Sequence, residues 1–161
     1  MRRKIIISIL ILLVLIQFIR PRRNISASGS PQDIAVIYPT PDSVSKLLKK
    51  SCYDCHSNNT EYPWYSNLQP VGWWLQMHVN DGKRHIDYSS FASYEPRRQA
   101  KALHETAETI KEDEMPLDNY LWIHKNAVLT ENEKLLISEW ATNLEKEIRQ
   151  KYNLPEDLRH R

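Results

Sequence analysis

Apolar residues fill positions 5 to 19 almost without interruption, as IIISILILLVLIQFI, with only Ser8 and Gln17 breaking the run. A helix that is apolar on every side has no polar face to turn to water, so this one predicts a membrane-seated element rather than a surface helix. Its length falls short of the ~20 residues that usually span a bilayer. Basic residues on both flanks (Arg2, Arg3 and Lys4 before it; Arg20, Arg22 and Arg23 after it) extend the effective span by reaching outward. A secretory signal has the same basic start and apolar run, but a small-residue cleavage site should follow closely. Here bulky RPRR follows and SASGS comes late. Residues 1–23 are therefore read as an uncleaved signal anchor, with a cleaved signal peptide as the alternative.

The pattern changes after position 23. Residues 24–39 are polar and irregular and read as a linker. Helical spacing begins at Thr40, a candidate cap, with Pro41 at the first helical position and Asp42 in the first turn. Val44, Leu47, Leu48, Cys52 and Cys55 repeat on one face, which predicts a helix through TPDSVSKLLKKSCYDCH. VGWWLQMHVND predicts a second, short helix closing near Gly82. EPRRQAKALHETAETIKE predicts a third, begun by Pro96 and striped by Ala100, Leu103, Ala107 and Ile110. EDEMPLDNYLW reads as a loop broken at Pro116. The last helix opens with the capping box Thr130–Glu133 and carries Ile137, Trp140, Ala141, Leu144 and Ile148 on one face. With no convincing strand and no repeat, the expected class is all-α: a cytochrome c-like helical domain over residues 40–152 behind a single N-terminal transmembrane or signal-anchor helix. Residues 153–161 form a charged tail.

Charge narrows the choice of partners. The formal net charge is +2, but six basic residues lie in the first 23 positions. The rest holds 16 Lys and Arg against 20 Asp and Glu. An acidic body without a basic patch argues against nucleic-acid binding. Three glycines in 161 residues, and no GxxxxGK or GxGxxG, argue against a phosphate-cradling loop.

The chemistry concentrates in SCYDCHSNNTEYPWY, residues 51–65. Cys52 and Cys55 are the only cysteines, and His56 follows directly. A structural zinc site needs four ligands, and no second cysteine pair is present; His78, His85, His104 and His124 are scattered. A thioredoxin-like pair wants a βαβ setting, which the helical pattern denies. A simple disulfide between near neighbours is the plain alternative. Cys-x-x-Cys-His is also the attachment signature of haem c. Two thiols one helical turn apart suit the two vinyl groups of one haem, and the following histidine suits the proximal side of its iron. On that reading the cofactor is a single covalent haem c. Attachment on the outer side of the bacterial inner membrane then sets the N-terminus in the cytoplasm and the haem domain in the periplasm.

The order CxxCH, NNTxYPWY, QPVxWW and a later MPLxxY, spread from about Ser43 to Leu144, resembles a family of small bacterial haem-binding domain proteins. The resemblance implies one haem c on an exported, often membrane-anchored domain, and it implies no substrate. Tyr62, Trp64, Tyr65, Trp73 and Trp74 follow the attachment site and are candidate pocket walls; as ordinary core aromatics they would need no cofactor. Arg84, Arg97 and Arg98 are propionate candidates by charge alone. His85, His104 and His160 read as exposed polar residues, and His124 as a minor ligand candidate.

For the sixth iron position Met115 is the expected ligand. It lies in an irregular segment before the last helix, where monohaem cytochromes c commonly carry their methionine, and Pro116 keeps that segment extended. Met115 as a core-filling side chain is the bland alternative, and His78 is the rival ligand. Histidine plus methionine leaves no open iron position, which suits one-electron transfer with unidentified redox partners. A peroxidase-like enzyme or a redox or gas sensor is the alternative, and needs a displaceable sixth ligand. Carbon monoxide binding by the reduced protein separates the two.

Overall fold

A computed structural model describes residues 1–155, so His160 and the end of the charged tail lie outside the described residues. The protein is all-α, with eight helices and four 3₁₀ turns and no strand among the described residues. Its frame is a helix pair, α6 (Pro96–Lys111) and α8 (Glu131–Tyr152). His104 of α6 meets Glu145 of α8, while Asp113 just past α6 meets Lys134, so the two helices run antiparallel. Pro96 sits at N1 of α6, where its missing N–H costs nothing. Ala100, Leu103, Ala107 and Ile110 are buried against Ile137, Ala141, Leu144 and Ile148. The alanines keep the two backbones close, and each fully buried Leu or Ile contributes about 1.5–3 kcal/mol.

Helix α3 (Asp42–Ser51) lays Val44, Leu47 and Leu48 onto this frame. The Lys50–Glu133 ion pair, at 2.8 Å, fixes its end to the start of α8. The continuous helix expected through the cysteines is two pieces. Cys52 leaves helical geometry at φ −124°, and α4 (Tyr53–His56) restarts as a single turn. Thr40 does not cap α3: its hydroxyl donates to the Tyr38 carbonyl, and Pro41 holds the N-cap position. Helix α5 (Val71–His85) runs three residues beyond Gly82 instead of stopping there. The glycine is needed for approach, because α4 packs directly against it. The loop expected around Pro116 contains one helical turn, α7 (Asp118–Leu121).

Residues 24–39, expected as a linker, are fastened to the body. They include α2 (Ile34–Ile37), capped by Asp33, and Ile34 is fully buried in the core. Asn24 donates to the Ser57 carbonyl at 2.7 Å and to the Thr60 hydroxyl at 2.9 Å, and accepts from Lys83 at 2.9 Å. The N-terminal helix α1 (Arg2–Leu15) continues into a 3₁₀ turn at Ile16–Phe18 and buries none of its residues. Among the described residues no helix is long and apolar enough to cross a membrane, so the N-terminal transmembrane helix expected from the sequence is not found. At its end, Gln17 and Gln69 exchange two hydrogen bonds, of 3.1 and 2.9 Å.

Candidate haem site

A mainly apolar cavity of about 470 Å³ opens beside the Cys-x-x-Cys-His turn, within the ~300–1,000 Å³ usual for cofactor sites. Cys52, Cys55 and His56 line one side, with Gly82 and Ile86 from the end of α5. Ala102, Thr106, Thr109 and Ile110 of α6 form another wall, and Met115, Pro116 and Tyr120 a third. His78 lines the same cavity. The cavity thus brings together Cys52, Cys55, His56, His78 and Met115, while His124, the minor ligand candidate, does not line it.

The turn is built to hold one imidazole face outward. The backbone N–H groups of Cys55 and His56 both donate to the Cys52 carbonyl, at 3.1 and 2.9 Å. His56 Nδ1 lies 3.0 Å from the Ile86 carbonyl oxygen. A carbonyl only accepts, so Nδ1 carries the proton and Nε2 keeps its lone pair, the arrangement in which a second partner fixes the tautomer of a metal-ligating histidine. Burial pushes the His56 pKa down, against the raising effect of the Ile86 and Gly82 carbonyls, which favours the neutral form that binds iron. Desolvation pushes the Cys52 thiol up to about 12 and the Cys55 thiol up to about 11. The two cysteines are free rather than disulfide-bonded. Among the described residues no group of three or more His, Cys, Asp or Glu is arranged to hold a metal ion. The donor set here, two thiols and one imidazole on an apolar cavity, fits a porphyrin better than a bare ion.

The two candidates for the sixth position differ in their engagement. His78 Nδ1 is 2.8 Å from the Trp74 carbonyl, so Nε2 holds the lone pair, and that nitrogen lies 3.5 Å from the Asn119 amide. Met115 is half-buried and packs against the core.

The five aromatics expected as pocket walls are placed elsewhere: Tyr62, Trp64, Tyr65, Trp73 and Trp74 do not line the cavity. The loop after His56 folds away from it, over the segment that follows α1. Tyr62 accepts from the Asn24 N–H and donates to Gln76 at 2.7 Å. Trp73 Nε1 donates to the Ile19 carbonyl at 2.7 Å. Trp64 is 77% exposed and packs edge-on to Tyr65, while Trp74, 48% exposed, lies against His78. Tyr62 and Trp73 thus fasten the N-terminal segment to α5. The cavity's own aromatics are Tyr88 and Tyr120, which sequence reasoning missed. Tyr88 is buried, stacks on Tyr53 and meets His56 edge-on. Tyr120 is the last residue of MPLxxY, and that position was its only sequence signal.

The remaining candidates fall outside the site or play other parts. Arg84, Arg97 and Arg98 do not line the cavity; Arg84 pairs with Asp81, and Arg98 lies over Tyr94. His104 bridges Glu108 and Glu145, and His124 stacks on Tyr120. His85, expected only as a surface residue, is exposed and also reaches the cavity wall.

A helical body with two thiols and a ligand-ready imidazole on one apolar cavity defines the class of small helical haem proteins. The chain belongs to the family described as haem-binding domain, which it matches over residues 11–143. No curated protein and no solved structure matches it.

Proposed function

We propose that the chain is a monohaem c-type cytochrome that passes single electrons. Cys52 and Cys55 would hold the haem through thioethers, His56 Nε2 would take the proximal side of the iron, and Met115 the sixth position. The observation that carries this reading is the meeting of these four residues on one apolar cavity. When bound, the haem supplies a one-electron iron couple. The residues themselves supply retention, orientation and shielding. The Ile86 carbonyl orients the imidazole, and α6 and Tyr88 keep one face of the cavity dry. Met115 together with His56 would leave the iron no open position, and this favours a carrier over an enzyme. His78 in the same cavity favours the second reading, a redox or gas sensor in which the sixth ligand is displaced.

Membrane attachment at the inner membrane, with the haem domain in the periplasm, belongs to the same proposal. Its support is α1, whose apolar residues from Ile5 to Leu15 are exposed with no protein surface covering them. The helix and its 3₁₀ turn cover ~25 Å at 1.5 Å per residue, against ~30 Å of hydrocarbon. Anchoring therefore relies on the flanking Arg and Lys residues reaching the interfaces.

Carbon monoxide tests the carrier reading. The reduced protein should resist the gas while undergoing a reversible one-electron titration. Immediate, stoichiometric carbon monoxide binding would instead mark an open or readily displaced position, as an enzyme or sensor requires.

A further inference from the structure

Residues 113–124 carry Met115 across the cavity wall between α6 and the start of α8. The segment leaves α6 through two backbone bonds, from the Glu114 and Met115 N–H groups to the Thr109 carbonyl, at 2.9 and 3.2 Å. Asp113 pairs with Lys134 in the first turn of α8. Toward the Cys-x-x-Cys-His turn it makes one strong side-chain bond, from the Tyr120 hydroxyl to Asp54 Oδ2 at 2.7 Å. The Asn119 amide approaches His78 Nε2 only to 3.5 Å, the limit of a useful bond.

Asp54 lies between the two cysteines and is itself held. Its Oδ1 accepts the Glu61 N–H at 2.9 Å, and its backbone carbonyl accepts the Thr60 hydroxyl at 2.6 Å. A hydroxyl bonded to a carboxylate is stronger than a neutral pair. Burial and the Asp54 carboxylate push the Tyr120 pKa far up, so the phenol stays a donor through the physiological range. The Tyr120 ring also stacks on His124, with centroids 4.1 Å apart, which keeps the phenol from swinging outward.

We infer that Tyr120 is a positioning residue whose bond to Asp54 straps the 113–124 segment to the haem-attachment turn and thereby holds Met115 at the cavity. The Met115 half of this inference rests on the coordination proposed above; the strap itself does not. One hydroxyl thus couples the turn that carries the proximal ligand to the segment that carries the distal one.

Tyr120→Phe in the full-length, haem-loaded protein tests it, because it removes one oxygen and keeps the ring stacked on His124. Two readouts are needed: amide hydrogen exchange resolved by segment, and the weak near-red sulfur-to-iron band of the oxidised protein. Loss of a charge-assisted bond should raise exchange in 113–124 about tenfold or more, leave α6 and α8 unchanged, and weaken the band. Asn119→Ala should change neither. Unchanged exchange in 113–124 would overturn the strap, and so would a rise spread evenly over the chain, which marks a general packing role. Raised local exchange with the wild-type band intact would overturn the positioning of Met115. If the wild type never shows the band, the Met115 coordination fails, and the exchange result still decides the strap.

Discussion

A Cβ atom on Gly82 would lie 2.8 Å from the carbonyl oxygen of Cys55 and 3.1 Å from its Cβ. Both contacts are with the attachment turn itself, and the nearer one is backbone, which cannot rotate away. Helix α5 therefore touches the turn at a position where only glycine fits, and the same helix end delivers the Ile86 carbonyl to His56. Gly82→Ala should push α5 off the turn. The expected loss is about 1–3 kcal/mol, as for other overpacked sites, together with a lower haem content per chain. Denaturant midpoints and the haem-to-protein absorbance ratio check both. An alanine variant with wild-type stability and haem content would show that the contact is unimportant.

Substitution separates the two sixth-ligand candidates. Met115→Ala should abolish the near-red sulfur-to-iron band, lower the reduction potential and open the reduced iron to carbon monoxide. His78→Ala should leave the band in place. A change of coordination only in the His78 variant would assign the position to histidine instead.

Legibility in the sequence followed the range of each signal. The stripes of α6 and α8 and the capping box are local patterns, and each appears in the structure where the sequence placed it. The break at Cys52 leaves no residue-level mark, since Leu48 and Cys52 still keep helical spacing. Tyr62, Trp64, Tyr65, Trp73 and Trp74 are close to the cysteines in sequence but do not line the cavity in the fold. Tyr62 bonds Asn24 and Gln76 instead, and Trp73 bonds the Ile19 carbonyl. The partner of His56 is a backbone carbonyl, and Tyr120 meets Asp54 across 66 positions, so neither could be read from composition or periodicity.

The Thr130–Glu133 box gives a pH-dependent term. The hydrogen bond from Lys50, with those from Thr130, lowers the Glu133 pKa from 4.5 to about 2. A carboxylate depressed in the folded state contributes stability above its unfolded pKa, and this is lost as pH falls through the folded value. Glu133→Gln should cost about 1 kcal/mol at pH 7, since both partners are near solvent. The gap from wild type should close between about pH 4.5 and pH 2. Urea midpoints across that range check it; a gap independent of pH would remove the ionised carboxylate from the explanation.

Retention of α1 is expected on the mature chain. Mass spectrometry of the membrane fraction should find the segment preceding Arg20 still attached. A mature N-terminus within 26–30 would show cleavage and remove the anchor.

Covalent attachment is the claim on which the rest of the account stands, and acid–acetone extraction tests it most directly. One haem per chain should stay with the denatured polypeptide, and Cys52→Ala and Cys55→Ala should each weaken that retention. Extraction that strips all haem from the wild-type chain would contradict it.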